Sequence, residues 1–146
     1  MFFGLLLIVT TGVRTALAEA AFRPPAVPLV TSDPFLSIWS EADRLTDAPT
    51  RHWTRREHSL VSLIRVDDKA YRLMGNHPAD VPALPQVGLE VKPTRTIYDF
   101  DDGHVHVTLT FMTPALPNDS EAMALPLSYI NWTVRSVDGK SHAVAL

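Results

Sequence analysis

The chain has 146 residues, which is enough to bury a sizeable core within a single domain. Its composition, with 46% hydrophobic and 20% charged residues, is typical of a folded protein and argues against disorder over the whole length. The formal net charge of −3 gives no basic field for nucleic acid, and the absence of cysteine excludes disulfides, thiolate zinc sites and a cysteine nucleophile from this stretch.

The first 20 residues are typical of a secretory signal peptide. An apolar run from Phe2 to Val9 is followed by two overlapping small-residue cleavage motifs within residues 16–20. The run is much shorter than the roughly 20 residues that cross a bilayer, so we predict no membrane anchor. The sequence therefore predicts a secreted, extracellular protein whose mature chain begins near residue 21.

Residues 21–59 are predicted to form an extended, proline-rich arm. Its prolines prevent long helices and continuous strands. They are Pro24, Pro25, Pro28, Pro34 and Pro49. The segment nevertheless carries large apolar side chains such as Trp39 and Trp53, so it needs a surface on which to pack. That surface belongs either to its own domain or to a neighbouring one.

Residues 60–146 are predicted to form an antiparallel β-sandwich. The clearest strand begins at His104, where HVHVTLTFM alternates polar and apolar residues. Six or seven short strands joined by tight turns, without a convincing amphipathic helix, indicate an all-β fold. Residues 119–124 could hold one helical turn. Residues 141–146 end inside a predicted strand, so we expect the sandwich to be incomplete at its C-terminus.

Few residues are candidates for chemistry. His104 and His106 point to one face of a strand, but a metal site needs a third ligand, and solvent-facing histidines are the commoner case. Adjacent aspartates at 67–68 and 101–102 are typical of hairpin turns. The sequence contains neither a nucleophile elbow nor a glycine-rich phosphate loop. We therefore predict no catalytic residue, no metal site and no cofactor in this chain.

Two sequons are candidate glycosylation sites in a secreted eukaryotic chain. Asn118 lies in a proline-flanked loop, where a glycan would be accessible. Asn131 lies within a predicted strand, where a glycan fits only on a solvent-exposed face.

The most suggestive cluster lies in the arm and comprises Asp43, Asp47, Arg51, His52 and Trp53, of which the last four are the candidate site residues. In a structural interpretation, Trp39 and Trp53 anchor the arm while Asp47 and Arg51 form a local pair. In a functional interpretation, this loop lies at an interdomain contact or at the mouth of a site on a neighbouring domain.

The arm also resembles the start of a known family. The segments RPPAVPLVTSDPFLSIWSEADRLTDAPTRHWT, LIRVDDKAYRLMG, VKPTRTIYDF, VTLTFMTPALP and LSYINWTVRSVDGKSH follow one another as in the secreted glutaminase A family, known from fungi and with bacterial relatives. The resemblance covers nearly everything after residue 20. It implies hydrolysis of L-glutamine to L-glutamate and ammonia by the full-length protein.

The resemblance further implies that this chain is a non-catalytic, N-terminal accessory β-domain. Its expected partner is the C-terminal helical toroid catalytic domain of the same full-length protein. One alternative is a carbohydrate-binding or non-catalytic β-domain of a six-hairpin glycosidase-like protein, because such layouts occur there as well. A second alternative is a stand-alone secreted binding protein.

Overall fold

The computed structural model describes residues 23–146. The predicted signal peptide, residues 1–20, lies outside the described residues, and export therefore stays a prediction. The described part contains ten β-strands and one four-residue helix, and the strands that pair do so antiparallel. The all-β, antiparallel class predicted from the sequence is confirmed.

The first sheet forms within the proline-rich segment. It consists of β1 (Val27–Thr31), β2 (Ser37–Ser40) and β3 (Arg51–His52), in that order. Asp33 closes the β1–β2 hairpin, because its carboxylate accepts hydrogen bonds from the backbone N–H groups of Phe35 and Leu36. Pro28 lies where the register of β1 shifts, and such an irregularity tolerates a residue that lacks an N–H donor.

Two further sheets complete the fold. Their strands are β4 (Ser62–Val66), β5 (Lys69–Met74), β6 (Gln86–Lys92), β7 (Arg95–Asp101), β8 (Val105–Met112), β9 (Tyr129–Ser136) and β10 (Val144–Ala145). The second sheet has the order β10-β4-β5, and the third has the order β6-β7-β8-β9.

The single described helix, α1 (Ser120–Met123), lies between β8 and β9. The Asp119 carboxylate caps it by accepting a hydrogen bond from the Ala122 N–H at 2.9 Å. A helical turn expected within 119–124 is therefore present. No helix among residues 23–146 is long and apolar enough to span a membrane.

Aspartates organise the turn between β7 and β8. The Asp101 carboxylate accepts a hydrogen bond from the Gly103 N–H at 2.8 Å, and the Asp102 carboxylate accepts one from the Val105 N–H at 3.0 Å. Gly103 has a φ of 86°, in the left-handed region that a residue without a Cβ adopts at little cost. This turn places the apolar residues of β8 on the inner face of the sheet.

The core lies between the inner face of the third sheet and the other two sheets, which makes the fold sandwich-like. The four apolar residues of β8, at 105, 107, 109 and 111, are at most 1% exposed. Residues from all three sheets pack into the same cluster as β8. Among them are Val27, Leu29, Ile64, Val66, Leu73, Tyr98 and Phe100.

The segment predicted as an arm packs on this core within its own chain. Thr96 of β7 donates a hydrogen bond from Oγ1 to the Pro28 carbonyl at 2.6 Å, which joins β1 to the third sheet. Arg72 of β5 donates from Nη1 to the Thr46 carbonyl at 2.9 Å, and Leu45 is buried in the core cluster. The division of the chain into an arm and a domain at residue 59 stays a prediction.

The burial of Leu109 in the core predicts that its replacement by alanine destabilises the fold much more than the same replacement at an exposed leucine. Leu109 is fully buried between Tyr98 and Trp132 in the strand register, so Leu109→Ala should lower the free energy of unfolding by about 2–5 kcal/mol. The same change at the exposed Leu125 should alter it by less than about 0.5 kcal/mol. Urea unfolding followed by circular dichroism measures both. Equal effects at the two positions would contradict the described core.

Candidate functional site

An exposed pair of aromatic rings lies at one end of the first sheet. Phe35 is 90% exposed in the β1–β2 turn, and Trp53 is 60% exposed directly after β3. The two positions meet because β3 pairs with β2, with Ile38 opposite His52. We define the aromatic face by Pro34, Phe35, His52 and Trp53, which line one shallow hollow.

The edges of two rings on the aromatic face are fixed by hydrogen bonds. Trp53 Nε1 donates to the Pro34 carbonyl at 2.8 Å, and His52 Nε2 lies 2.9 Å from the same oxygen. Since a carbonyl only accepts, the His52 proton is on Nε2, which leaves Nδ1 to accept from the Thr54 hydroxyl at 2.8 Å. The ring edges are therefore occupied, and it is the ring surfaces that are available to another molecule.

Only two of the four predicted loop residues belong to the aromatic face. His52 and Trp53 lie on it, whereas Arg51 donates from Nη1 to the Arg55 carbonyl at 3.0 Å. Asp47 is exposed in the turn that precedes β3, where its N–H donates to the Arg44 carbonyl at 3.1 Å. The salt bridges of residues 23–146 do not include the local Asp47–Arg51 pair that the structural interpretation suggested.

Sequence reasoning missed Pro34 and Phe35 as members of the face. The signal was present, because Ser32-Asp33-Pro34 marks a turn and the next residue is aromatic. A large apolar residue directly after a turn signal is a candidate for an exposed ring. The pairing of β3 with β2, which brings this turn next to Trp53, has no local signature.

A second cluster, which sequence reasoning also missed, joins the β4–β5 turn to the β9–β10 connection. His142 Nδ1 lies 2.9 Å from Asp67 Oδ2, and His142 Nε2 lies 3.0 Å from Asp138 Oδ1. His104 Nδ1 lies 3.1 Å from the other oxygen of Asp138. We call Asp67, His104, Asp138 and His142 the His–Asp cluster.

The geometry around His142 favours its charged form and those of Asp67 and Asp138. Both ring nitrogens of His142 face carboxylate oxygens, so both donate only when the ring is an imidazolium ion. Hydrogen bonds to Asp67 and then to Asp138 raise the pKa of His142. The hydrogen bond from His142 in turn lowers the pKa of Asp138 and that of Asp67.

The His–Asp cluster positions β10. The Asp67 carboxylate also accepts from the Ala143 N–H at 2.9 Å, and the Asp67 N–H donates to the Ala143 carbonyl at 2.7 Å. These bonds bring the chain to β4, where Val144 pairs with Val66. In the part of the chain that the structure describes, no three His, Cys, Asp or Glu side chains are arranged to hold a metal ion.

His106 lies on β8, two residues after His104, and has a different set of partners. Its Nδ1 lies 3.1 Å from Asp101, and its Nε2 lies 3.1 Å from Asp99 of the adjacent strand. Thr108 also donates to Asp99, at 2.7 Å. The two histidines predicted to share a face thus bind separate carboxylates that tie neighbouring strands together.

Both sequon asparagines are exposed. Asn118 lies in the turn that precedes α1. Asn131 lies on β9 opposite Thr110, on the polar outer face of the third sheet. Glycan attachment at either position stays a prediction.

The His–Asp cluster predicts a pH dependence of stability. The pKa of His142 is raised above its ordinary value of 6.5 in the folded state, so its stabilisation is complete below about pH 6.5 and is lost as pH rises through the folded-state pKa. The lowered pKa values of Asp67 and Asp138 act oppositely, since their stabilisation is lost as pH falls below about 4. The urea midpoint of the wild-type chain should therefore be lower at pH 9 than at pH 5.5.

The variant His142→Gln should lower the urea midpoint at pH 5.5 and flatten the fall between pH 5.5 and pH 9. His58→Gln is the matched control, because His58 is an exposed histidine outside the salt bridges found in residues 23–146. It should keep the wild-type profile. An unchanged profile in His142→Gln would show that the cluster is not the source of the dependence.

Comparison with known proteins supports the resemblance seen in the sequence. Residues 6–86 match the family model "Domain of unknown function (DUF4964)", and residues 94–146 match "Domain of unknown function (DUF5127)". The chain is 32% identical over 133 residues to glutaminase A from Aspergillus oryzae. The match covers 84% of this chain but only 19% of that relative. No solved structure matches the chain significantly.

The first family model covers more than half of the chain, and the match to glutaminase A covers 84% of it. The chain therefore belongs to the DUF4964 family and corresponds to an N-terminal region of the glutaminase A family.

Proposed function

We propose that this chain is the non-catalytic, N-terminal accessory β-domain of a secreted glutaminase-like amidohydrolase. The observation that carries the proposal is the 32% identity to glutaminase A over 84% of the chain, together with the 19% share of that relative. The reaction proposed for the whole protein is hydrolysis of L-glutamine to L-glutamate and ammonia. The residues that perform it would lie in the C-terminal helical toroid domain, the proposed partner.

Three of the six histidines support a structural role. His104, His106 and His142 each bind an aspartate on another strand or turn. A general base needs a free nitrogen within hydrogen-bond reach of its substrate. Both nitrogens of His106 and of His142 are occupied by carboxylates.

The aromatic face is the proposed contact with the rest of the protein. Tryptophan is enriched among the residues that dominate binding energy, and a covered aromatic side chain buries on the order of 150–250 Å². On the aromatic face the hydrogen bonds to the Pro34 carbonyl hold the rings of Trp53 and His52 in position, so little ordering of these two side chains is needed on contact. Its position would place Trp53 and His52 at an interdomain contact near the mouth of the site.

Carbohydrate binding is a second candidate function, because the same face exposes two ring surfaces. Trp53 and Phe35 could stack on a sugar, whereas Trp39 and Trp132 are half-buried and bind Ser37 and Ser62 through their indole N–H groups. Titration with oligosaccharides, followed by tryptophan fluorescence, tests this candidate. A saturable change that is lost in Trp53→Ala would favour it over the accessory role.

The accessory role predicts that the mature chain, residues 21–146, releases no ammonia from L-glutamine. The measurement is a coupled ammonia assay on the purified chain, with the longer protein of the same reading frame as the positive control. Ammonia release that scales with the concentration of the mature chain would overturn the proposal.

The proposed contact predicts that Trp53→Ala destabilises the longer protein but not the mature chain. Losing a buried tryptophan anchor should remove about 2 kcal/mol or more of interdomain binding, whereas the exposed side chain contributes less than about 0.5 kcal/mol in the mature chain. Trp53→Phe, which keeps a ring, should be intermediate. Thermal unfolding of both proteins, together with kcat/KM of the longer protein, measures the difference. Identical losses in the two proteins would contradict the contact.

A further inference from the structure

β9 forms one edge of the third sheet. Its eight residues pair with β8 in an unbroken register, from Tyr129 opposite Met112 to Ser136 opposite Val105. Among residues 23–146 no strand pairs with its other side. Since the backbone groups of a strand alternate between its two sides, β9 presents a row of N–H and C=O groups without strand partners.

The core beneath β9 is only partly closed. The inward-facing side chains Ile130, Trp132 and Val134 pack against the core cluster but remain partly exposed. Their register partners on β8, at 107, 109 and 111, are at most 1% exposed. The core is therefore complete over β8 and open along the outer side of β9.

The edge of the second sheet borders the same opening. Trp132 Nε1 donates to Ser62 Oγ at 3.1 Å, which links β9 to the first residue of β4. β10 pairs with Arg65 and Val66 alone, so the outer edge of β4 from Ser62 to Ile64 has no strand partner within the described residues. The opening thus runs between the edges of two sheets that share one core.

β9 has few of the features that protect natural edge strands from pairing. It is long and regular, and its sequence YINWTVRS contains no proline and one charged residue, Arg135. The opposite edge, β6, has a register shift between Gln86 and Gly88 and carries Glu90 and Lys92. The contrast indicates that the β6 edge is protected against pairing and that the β9 edge is suited to pairing with another strand.

We propose that the open edge of β9 accepts a further β-strand from the part of the longer protein outside residues 1–146. The strand would carry apolar residues at alternate positions, because it must cover side chains that repeat every second residue at 130, 132 and 134. This inference rests on the proposed function, since the chain spans 19% of the glutaminase A relative and the remainder of such a protein is available to supply the strand.

Residue-resolved hydrogen exchange of the mature chain and of the longer protein tests the strand. In the mature chain, alternate β9 amides should exchange fast, and in the longer protein they should slow by at least about tenfold. The amides of β8 are the internal control and should be protected in both. Equal exchange of β9 in the two proteins would overturn the proposal.

Two lysine substitutions sharpen this test when the proteins are made in a host that does not glycosylate. Val134→Lys places a charge under the proposed strand, and Thr133→Lys places the same charge on the exposed outer face. In the longer protein, Val134→Lys should restore fast exchange of β9, whereas Thr133→Lys should not. The same response to both variants would contradict a strand that covers residue 134.

Two further outcomes would also overturn the proposal. β9 protection that rises with the concentration of the mature chain would assign the edge to a second copy. A natural protein that ends at residue 146, is monomeric and shows fast exchange of the β9 amides would contain no strand that could pair with β9. Ammonia release by the mature chain, by contrast, would overturn the proposed function without affecting the exchange result.

Discussion

The fold depends on burying the apolar face of β8. The residues at 105, 107, 109 and 111 are shielded on three sides, by β7 and β9 within their own sheet and by the other two sheets across the core. Burial of such side chains provides about 1.5–3 kcal/mol each. The proline-rich segment contributes Val27, Leu29 and Leu45 to this core, so the first sheet and the aromatic face are held against the same strand.

The sequence predicts well what depends on local pattern. β8 is evident from its alternation, the turn at 101–103 is evident from its turn-forming residues, and one helical turn is anticipated within residues 119–124. The two-residue β3 and the proline-containing β1 have no such pattern, because β3 is too short to show alternation and proline argues against a regular strand. The His–Asp cluster also has no local pattern, because Asp67 and His142 are 75 positions apart.

Two of the four candidate residues predicted from the sequence, His52 and Trp53, lie together on the aromatic face, and the other two do not. His52 and Trp53 follow one another at the end of β3 and both reach the Pro34 carbonyl, so their proximity in sequence survives in the fold. Asp47 lies in a different turn, and Arg51 bonds to its own loop. The histidine–aspartate pairs therefore tie strands together within the fold. The aromatic face lies elsewhere on the surface and remains exposed.

The central claim is that one core unites the first sheet with the rest of the chain. Single-tryptophan variants test it, because Trp39 reports on β2 and Trp132 reports on β9. If the core is shared, urea unfolding monitored at either tryptophan should give the same midpoint and slope. A separate transition at lower urea for Trp39, with Trp132 unchanged, would contradict the shared core.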